Sequence, residues 1–147
     1  MNNRLFAAYG VGLNRTEMAK HCPTAKLIGT AELKKFKLMF RGGNACALAT
    51  IEKAKGCSVP ALVWEISSQD EAALDRLTGG PELYRKDMII VRCNGIIAEA
   101  LVYIMVSGKP QNKPSAFYYS TLLEGYRSSG FDVDILRCAV SESAELL

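Results

Sequence analysis

The 147-residue sequence predicts an α+β fold: a mostly antiparallel, barrel-like mixed sheet with flanking helices, in one domain over residues 1–147. Three observations carry this expectation. Strand-like stretches cluster between residues 25 and 66 and again between 84 and 106, while helical periodicity is confined to separate stretches around them. Asn94-Gly95 stands between two apolar runs, a strong signal for a two-residue hairpin and hence for antiparallel pairing. Near the N-terminus, Leu5-Phe6-Ala7-Ala8-Tyr9 reads as a short buried strand that breaks at Gly10-Val11-Gly12 and leads through Leu13-Asn14 into a helix.

Taken in order, that first corner gathers backbone N–H groups into a small concave nest suited to a carboxylate or another anion. Asn14, with Glu17 three positions on, has the spacing of a capping box. It opens a helix to about residue 20, which Cys22-Pro23 stops. Residues 25–33 and 36–41 read as two strands joined by Lys34-Lys35, and Gly42-Gly43-Asn44 as a loop. A short strand at 47–51 follows. Lys55-Gly56 is expected to turn the chain into a strand at 58–66, with Val59, Ala61 and Val63 on one face and Leu62, Trp64 and Ile66 on the other. Ser68 with Glu71 resembles a second capping box, ahead of a helical stripe of Ala72, Ala73, Leu74 and Leu77 that Gly79-Gly80-Pro81 ends. The hairpin pairs 84–93 with 96–106. After a polar loop at 108–114, Pro114-Ser115 opens a helix to about residue 128, closed by Gly130. Asp132 caps a last helix through Ile135 and Leu136, fraying toward Leu147.

Composition narrows the function classes. Apolar residues make up 49% and charged residues 22%, as in a soluble globular protein. A net charge of +3, from 18 basic and 15 acidic residues, is too slight a footprint for nucleic acid. The basic cluster Lys34, Lys35 and Lys37 alternates with Leu33, Phe36 and Leu38 and reads as a solvated strand edge. No apolar run has the length of a membrane span, so no membrane partner is expected. Asn2, Asn3 and Arg4 begin the chain without an apolar signal core, which makes the cytoplasm the expected location. The five cysteines, Cys22, Cys46, Cys57, Cys93 and Cys138, are odd in number, widely spaced and without a C-x-x-C, and read as free thiols. The one histidine, His21, sits beside Cys22, which is poor spacing for a metal, so none is expected.

Several separated pieces agree with one family. They are Phe6-Ala7-Ala8-Tyr9-Gly10 with Leu13-Asn14; Met18 with Cys22-Pro23; Ala31-Glu32-Leu33 with Phe36-Lys37-Leu38; and Ala49-Thr50-Ile51. They continue through residues 59–66, Leu74-Asp75, Gly79-Gly80-Pro81 with Tyr84, and residues 100–105. The last are Pro114-Ser115 with Tyr118, and Gly125-Tyr126 with Ser129-Gly130. In this ordered set, covering nearly the whole chain, the sequence resembles the gamma-glutamyl cyclotransferase-like family. The resemblance implies an intramolecular acyl transfer without cofactor or metal. The α-amine of a γ-glutamyl group attacks its own γ-carbonyl, an amine leaves, and 5-oxoproline forms. The attacking atom is tethered and needs only positioning and a proton acceptor. The implied partner is a small γ-glutamyl-like molecule. The implied binding residues are the nest, Tyr9, Gly10, Val11, Gly12 and Leu13, together with Tyr84 and Tyr118.

Two departures from the family pattern fall on that machinery. The nest is a Tyr-Gly-Ser-x-Leu type loop in the family, and Val11 stands here at the serine position. Thr78 stands where the family has its glutamate, in a register fixed by Leu74-Asp75 before it and Gly79, Pro81 and Tyr84 after it. A threonine hydroxyl does not act as a base near neutral pH. Glu82 is the obvious substitute, and Asp75, three positions ahead on the helix, the other. The structural alternatives are a solvent-facing turn for Glu82 and a hydrogen bond at the helix end for Asp75. Likewise Tyr9, Tyr84 and Tyr118 either line a pocket or pack as core rings, and Trp64 is expected in the core. Three functions follow: an enzyme with a rewired site, a binding module without turnover, or an interaction scaffold whose pocket is plugged by Val11.

Overall fold

The structure, a computed structural model, describes residues 3–43 and 45–144. Asn44 of the expected loop, Asn2 and the frayed end at Leu147 lie outside the described residues. The order is β1 (Arg4–Ala8), α1 (Arg15–His21), β2 (Lys26–Arg41), β3 (Leu48–Ile66), α2 (Ser68–Leu77), β4 (Tyr84–Cys93), β5 (Ile96–Met105), α3 (Ala116–Ser129) and α4 (Val133–Ala144). A 3-10 turn at Val11–Leu13 joins β1 to α1. The strands form one sheet in the order β2-β3-β1-β5-β4, antiparallel throughout except where β1 meets β5. The sheet curls until its outer strands touch. Asn94 Nδ2, in the β4–β5 turn, donates to Ile28 O at 3.0 Å, and a Cβ on Gly29 would lie 2.8 Å from Asn94 Oδ1. The expected α+β class with a mostly antiparallel, curled sheet is the one observed.

Two expected breaks are bends. Residues 26–33 and 36–41 belong to the single strand β2, and 48–51 and 58–66 to the single strand β3, each beginning one residue later than expected. Pairing passes from Lys34↔Ser58 to Phe36↔Lys53, so Lys35 alone on β2 faces the segment 54–57 on β3. Lys35 has φ 68° and Gly56 φ 82°. A bulge with a left-handed glycine carries the same local signature as a turn; here the ladder resumes beyond it in the same antiparallel sense. Both faces of β3 beyond the bulge are covered: Val59, Ala61 and Val63 are buried, and so are Leu62, Trp64 and Ile66.

The helix ends follow local chemistry, with two adjustments. Asn14 Oδ1 accepts the Glu17 N–H at 3.1 Å, as expected. The return half of the box is absent because the Asn14 N–H donates to Val11 O at 2.9 Å. On α2 the capping box sits one residue earlier than expected. Ser67 Oγ accepts from Asp70 N and Asp70 Oδ2 accepts from Ser67 N, each at 3.1 Å. Glu71, the residue expected in that role, instead pairs with Lys86 Nζ at 2.6 Å. Ser115 caps α3 by accepting Tyr118 N–H at 3.1 Å, and Gly130 closes it at φ 74°. The hairpin turns at Asn94 (φ 53°) and Gly95 (φ 77°), the two left-handed positions that such a turn needs. All five cysteines are free. No described helix is long and apolar enough to cross a membrane.

Candidate functional site

β1 lies between β3 and β5, so whatever follows it is set at the centre of the sheet's end. The chain turns there through Val11–Leu13, closed by Leu13 N–H to Gly10 O and Asn14 N–H to Val11 O, both 2.9 Å. The first N–H groups of a helical turn have no acceptor within it, which leaves those of Val11 and Gly12 without an intrahelical partner. Neither Gly10 nor Gly12 has a left-handed φ. Gly12 is needed for close approach instead: a Cβ there would lie 2.6 Å from Ala8 Cβ and 3.3 Å from the Phe6 ring. Trp64, buried in β3 as expected, also donates Nε1–H to Gly12 O at 3.0 Å and fixes the turn from behind.

A cavity of about 290 Å³ opens over this turn. Gly10, Val11 and Gly12 form one side of it. The last turn of α2 contributes Leu74, Leu77 and Thr78, and the first turns of α3 contribute Phe117, Tyr118 and Thr121. Val11 is part of the wall and does not fill the space. Leu77 and Phe117 are exposed at 42% and 80%, so one rim of the opening is apolar and faces solvent.

The tyrosines expected at the site are all in the wall, and each is tied down. Tyr9 donates its hydroxyl to Tyr103 O and Tyr84 donates to Ala49 O. Tyr118 differs: its hydroxyl oxygen accepts the Ala49 N–H at 3.0 Å, which leaves its proton to give. That oxygen stands 3.7 Å from where a Cβ on Gly10 would be. Burial pushes the Tyr118 hydroxyl up to about 12, against the opposing pull of the Ala49 N–H. Burial also raises Tyr9, Tyr84 and Tyr103, so all four rings remain neutral near pH 7.

Thr78 lies in the wall with its hydroxyl donating back to Leu74 O at 3.0 Å and Asp75 O at 3.2 Å. Its proton is committed to its own helix. Asp75 stands one hydrogen bond behind the wall, accepting from Tyr103 Oη at 2.7 Å, with Lys86 Nζ 3.2 Å away. Glu82 is exposed and outside the wall. Leu13 is buried and also outside it, lying against Gly125, where a Cβ would come within 2.8 Å of the Leu13 backbone. Sequence reasoning missed Glu17 and Tyr103, both in the wall. The sequence alone places Glu17 in a capping box. With Asn14 N–H engaged elsewhere, its carboxylate bonds to Lys20 Nζ at 2.9 Å. It is the one carboxylate among the described wall residues, which include no Lys, Arg or His.

The family model described as gamma-glutamyl cyclotransferase, AIG2-like, matches residues 6–127. The chain belongs to this family. That span runs from β1 through most of α3, and so takes in every wall residue of the cavity. Among solved structures, an uncharacterized protein from Homo sapiens is 22% identical with a TM-score of 0.82, covering 95% of this chain and 87% of that one. A gamma-glutamyl cyclotransferase is 23% identical with a TM-score of 0.79, covering 94% and 86%. YkqA from Bacillus subtilis is 14% identical with a TM-score of 0.80, covering 97% of this chain and 55% of that one. At these identities the likeness is one of fold. No curated protein matches the sequence significantly.

Proposed function

We propose that the cavity over Gly10–Gly12 binds a γ-glutamyl or similarly small acidic group, and that position 78 supplies no base to it. The observation that carries this reading is the open cavity itself: Val11 borders it without plugging it. Its size, about 290 Å³, is at the lower end of the roughly 300–1,000 Å³ usual for ligand pockets, which favours a small ligand. The group's carboxylate finds the N–H groups of Val11 and Gly12 and the Tyr118 hydroxyl. Its ammonium finds Glu17. The absence of a glutamate at position 78 leaves room beside the nest and removes a negative charge from beside an incoming carboxylate.

Calorimetry against L-glutamate, L-γ-glutamyl-L-alanine and glutathione tests the reading. The expected result is saturable heat with the γ-glutamyl dipeptide, weakened by Tyr118→Phe, which removes a donated hydrogen bond. No heat from any of the three at millimolar concentration would overturn it.

A further inference from the structure

A γ-glutamyl amine held in this cavity has its α-nitrogen one five-membered ring away from its own γ-carbonyl, but it arrives as an ammonium without a lone pair. Something in the wall must take a proton. The wall offers few acceptors. The hydroxyls of Tyr9, Tyr84 and Tyr103 donate to Tyr103 O, Ala49 O and Asp75 Oδ1, and burial keeps them neutral. Thr78 donates to two carbonyls of α2, Thr121 donates to Phe117 O at 3.0 Å, and burial holds the proton on Tyr118. Asp75 is screened from the cavity by the Tyr103 hydroxyl that it binds. Glu17 is left.

Its setting suits the task. The backbone of Glu17 is fixed by the cap, Asn14 Oδ1 accepting its N–H at 3.1 Å. Asn14 is in turn fastened to α3, donating Nδ2 to Thr121 O at 3.1 Å and to Glu124 Oε2 at 2.7 Å. Thus the first turn of α1 is held against the helix that carries Phe117, Tyr118 and Thr121 into the same cavity. The Glu17 side chain is 25% exposed, neither sealed off nor free in solvent. Its partners on α1 are exposed, Lys20 at 62% and His21, 4.0 Å away, at 38%, and exposed pairs of this kind contribute so little that a ligand ammonium can take their place.

We propose that Glu17 is the proton acceptor of this site, and that the protein converts γ-glutamyl amines to 5-oxoproline with its carboxylate on α1 instead of at the end of α2. The inference rests on the γ-glutamyl reading above. Glu17 takes one proton from the α-ammonium, and the freed lone pair attacks the γ-carbonyl carbon. The ring C–N bond forms, the tetrahedral centre collapses and the bond to the departing nitrogen breaks. Glu17 returns its proton to that nitrogen. The second proton shed by the ring nitrogen ends on a basic departing amine, giving 5-oxoproline and the alkylammonium; from the anilide it passes to solvent, giving 5-oxoproline and neutral aniline.

The test uses the full chain and L-γ-glutamylanilide, whose apolar amine suits the rim at Leu77 and Phe117, with 5-oxoproline measured by chromatography and binding by calorimetry. Wild type is expected to release 5-oxoproline. Glu17→Gln is expected to lower kcat by about a hundredfold to ten-thousandfold while the anilide still gives measurable heat. Glu17→Asp, which keeps the charge and withdraws it by one methylene, is expected to lower kcat by about tenfold or more through misplacement alone, with KM little changed. Binding without 5-oxoproline release by wild type, or unchanged kcat in either variant, overturns the role of Glu17 and leaves the ligand reading standing. Absence of anilide heat with wild type overturns the turnover proposal, and absence of heat from L-γ-glutamyl-L-alanine as well overturns the ligand reading. Should Glu17→Gln not fold, Glu17→Asp decides.

Discussion

Gly12 and Gly125 mark where side chains are forbidden so that the site can exist. A Cβ on Gly12 would press on Ala8 and Phe6, and one on Gly125 would sit 2.7 Å from Leu13 Cβ and 2.8 Å from its backbone. Backbone cannot swing aside as a flexible side chain does, so Gly125→Ala is expected to cost about 1–3 kcal/mol, read as a lower urea midpoint at unchanged slope. A midpoint equal to wild type would mean that α3 lies farther from the Val11–Leu13 turn than described. Thr78 is the opposite case, a residue with room around it and its hydroxyl turned inward on α2. Thr78→Glu places a charge at a helix C-terminus, a cost of about 0.3–1 kcal/mol. In the Glu17→Gln chain it is nevertheless expected to recover 5-oxoproline release, because it returns a carboxylate to the same cavity. Persistent inactivity in a folded double variant would contradict a shared cavity for the two positions.

At the level of elements, the site depends on how α1 is fastened. Asn14 is 4% exposed and serves three bonds, to Glu17 N, Thr121 O and Glu124 Oε2. Asn14→Ala removes a helix cap and a bond to a charged group together, with an expected loss of about 2 kcal/mol or more in urea denaturation. A loss under about 0.5 kcal/mol would place it with ordinary surface changes. Elements of this kind were legible in the sequence wherever the signal was local. Asn94-Gly95, Gly130, Ser115 and the limits of β4 all stand as expected. The two misread strand breaks share a cause. Lys34-Lys35 and Lys55-Gly56 look like turns because a bulge and a turn use the same residue chemistry, and only pairing with a distant strand tells them apart. The capping box of α2 is a different case: Ser67 and Ser68 each have an acidic residue three positions on, and the pair formed, Ser67 with Asp70, also binds Thr24, whose Oγ1 lies 2.6 Å from Asp70 Oδ2.

For the molecule as a whole, the family, the fold and the turn after β1 could be read from the sequence, but the charge lining the cavity could not. Glu82 is close to Thr78 along the chain and exposed in space, whereas Glu17, sixty-one positions away, shares the wall with it. Sequence proximity favoured Glu82, which lies outside the wall, because the wall is assembled from seven helices and strands and no local spacing encodes it. The buried rings and thiols also set the pH response. Burial raises Cys22 from 9.0 to about 11, and Tyr118 from 10.0 to about 12. Each keeps its proton more tightly folded than unfolded, so stability is intact below the unfolded value and falls as pH climbs toward the folded one. Urea midpoints are expected to decline from about pH 9 upward; a midpoint constant to pH 11 would contradict the burial of these groups.

Both proposals require that the Gly10–Gly12 turn hold the ligand. Titrating L-γ-glutamyl-L-alanine into the 15N-labelled protein and following assigned backbone amides reads that turn directly. Saturable shifts are expected at Gly10, Val11 and Gly12, with smaller ones at Thr78, Tyr118 and Thr121. Shifts confined to the charged surface around Arg41 and Arg85, or none at millimolar ligand, would contradict both.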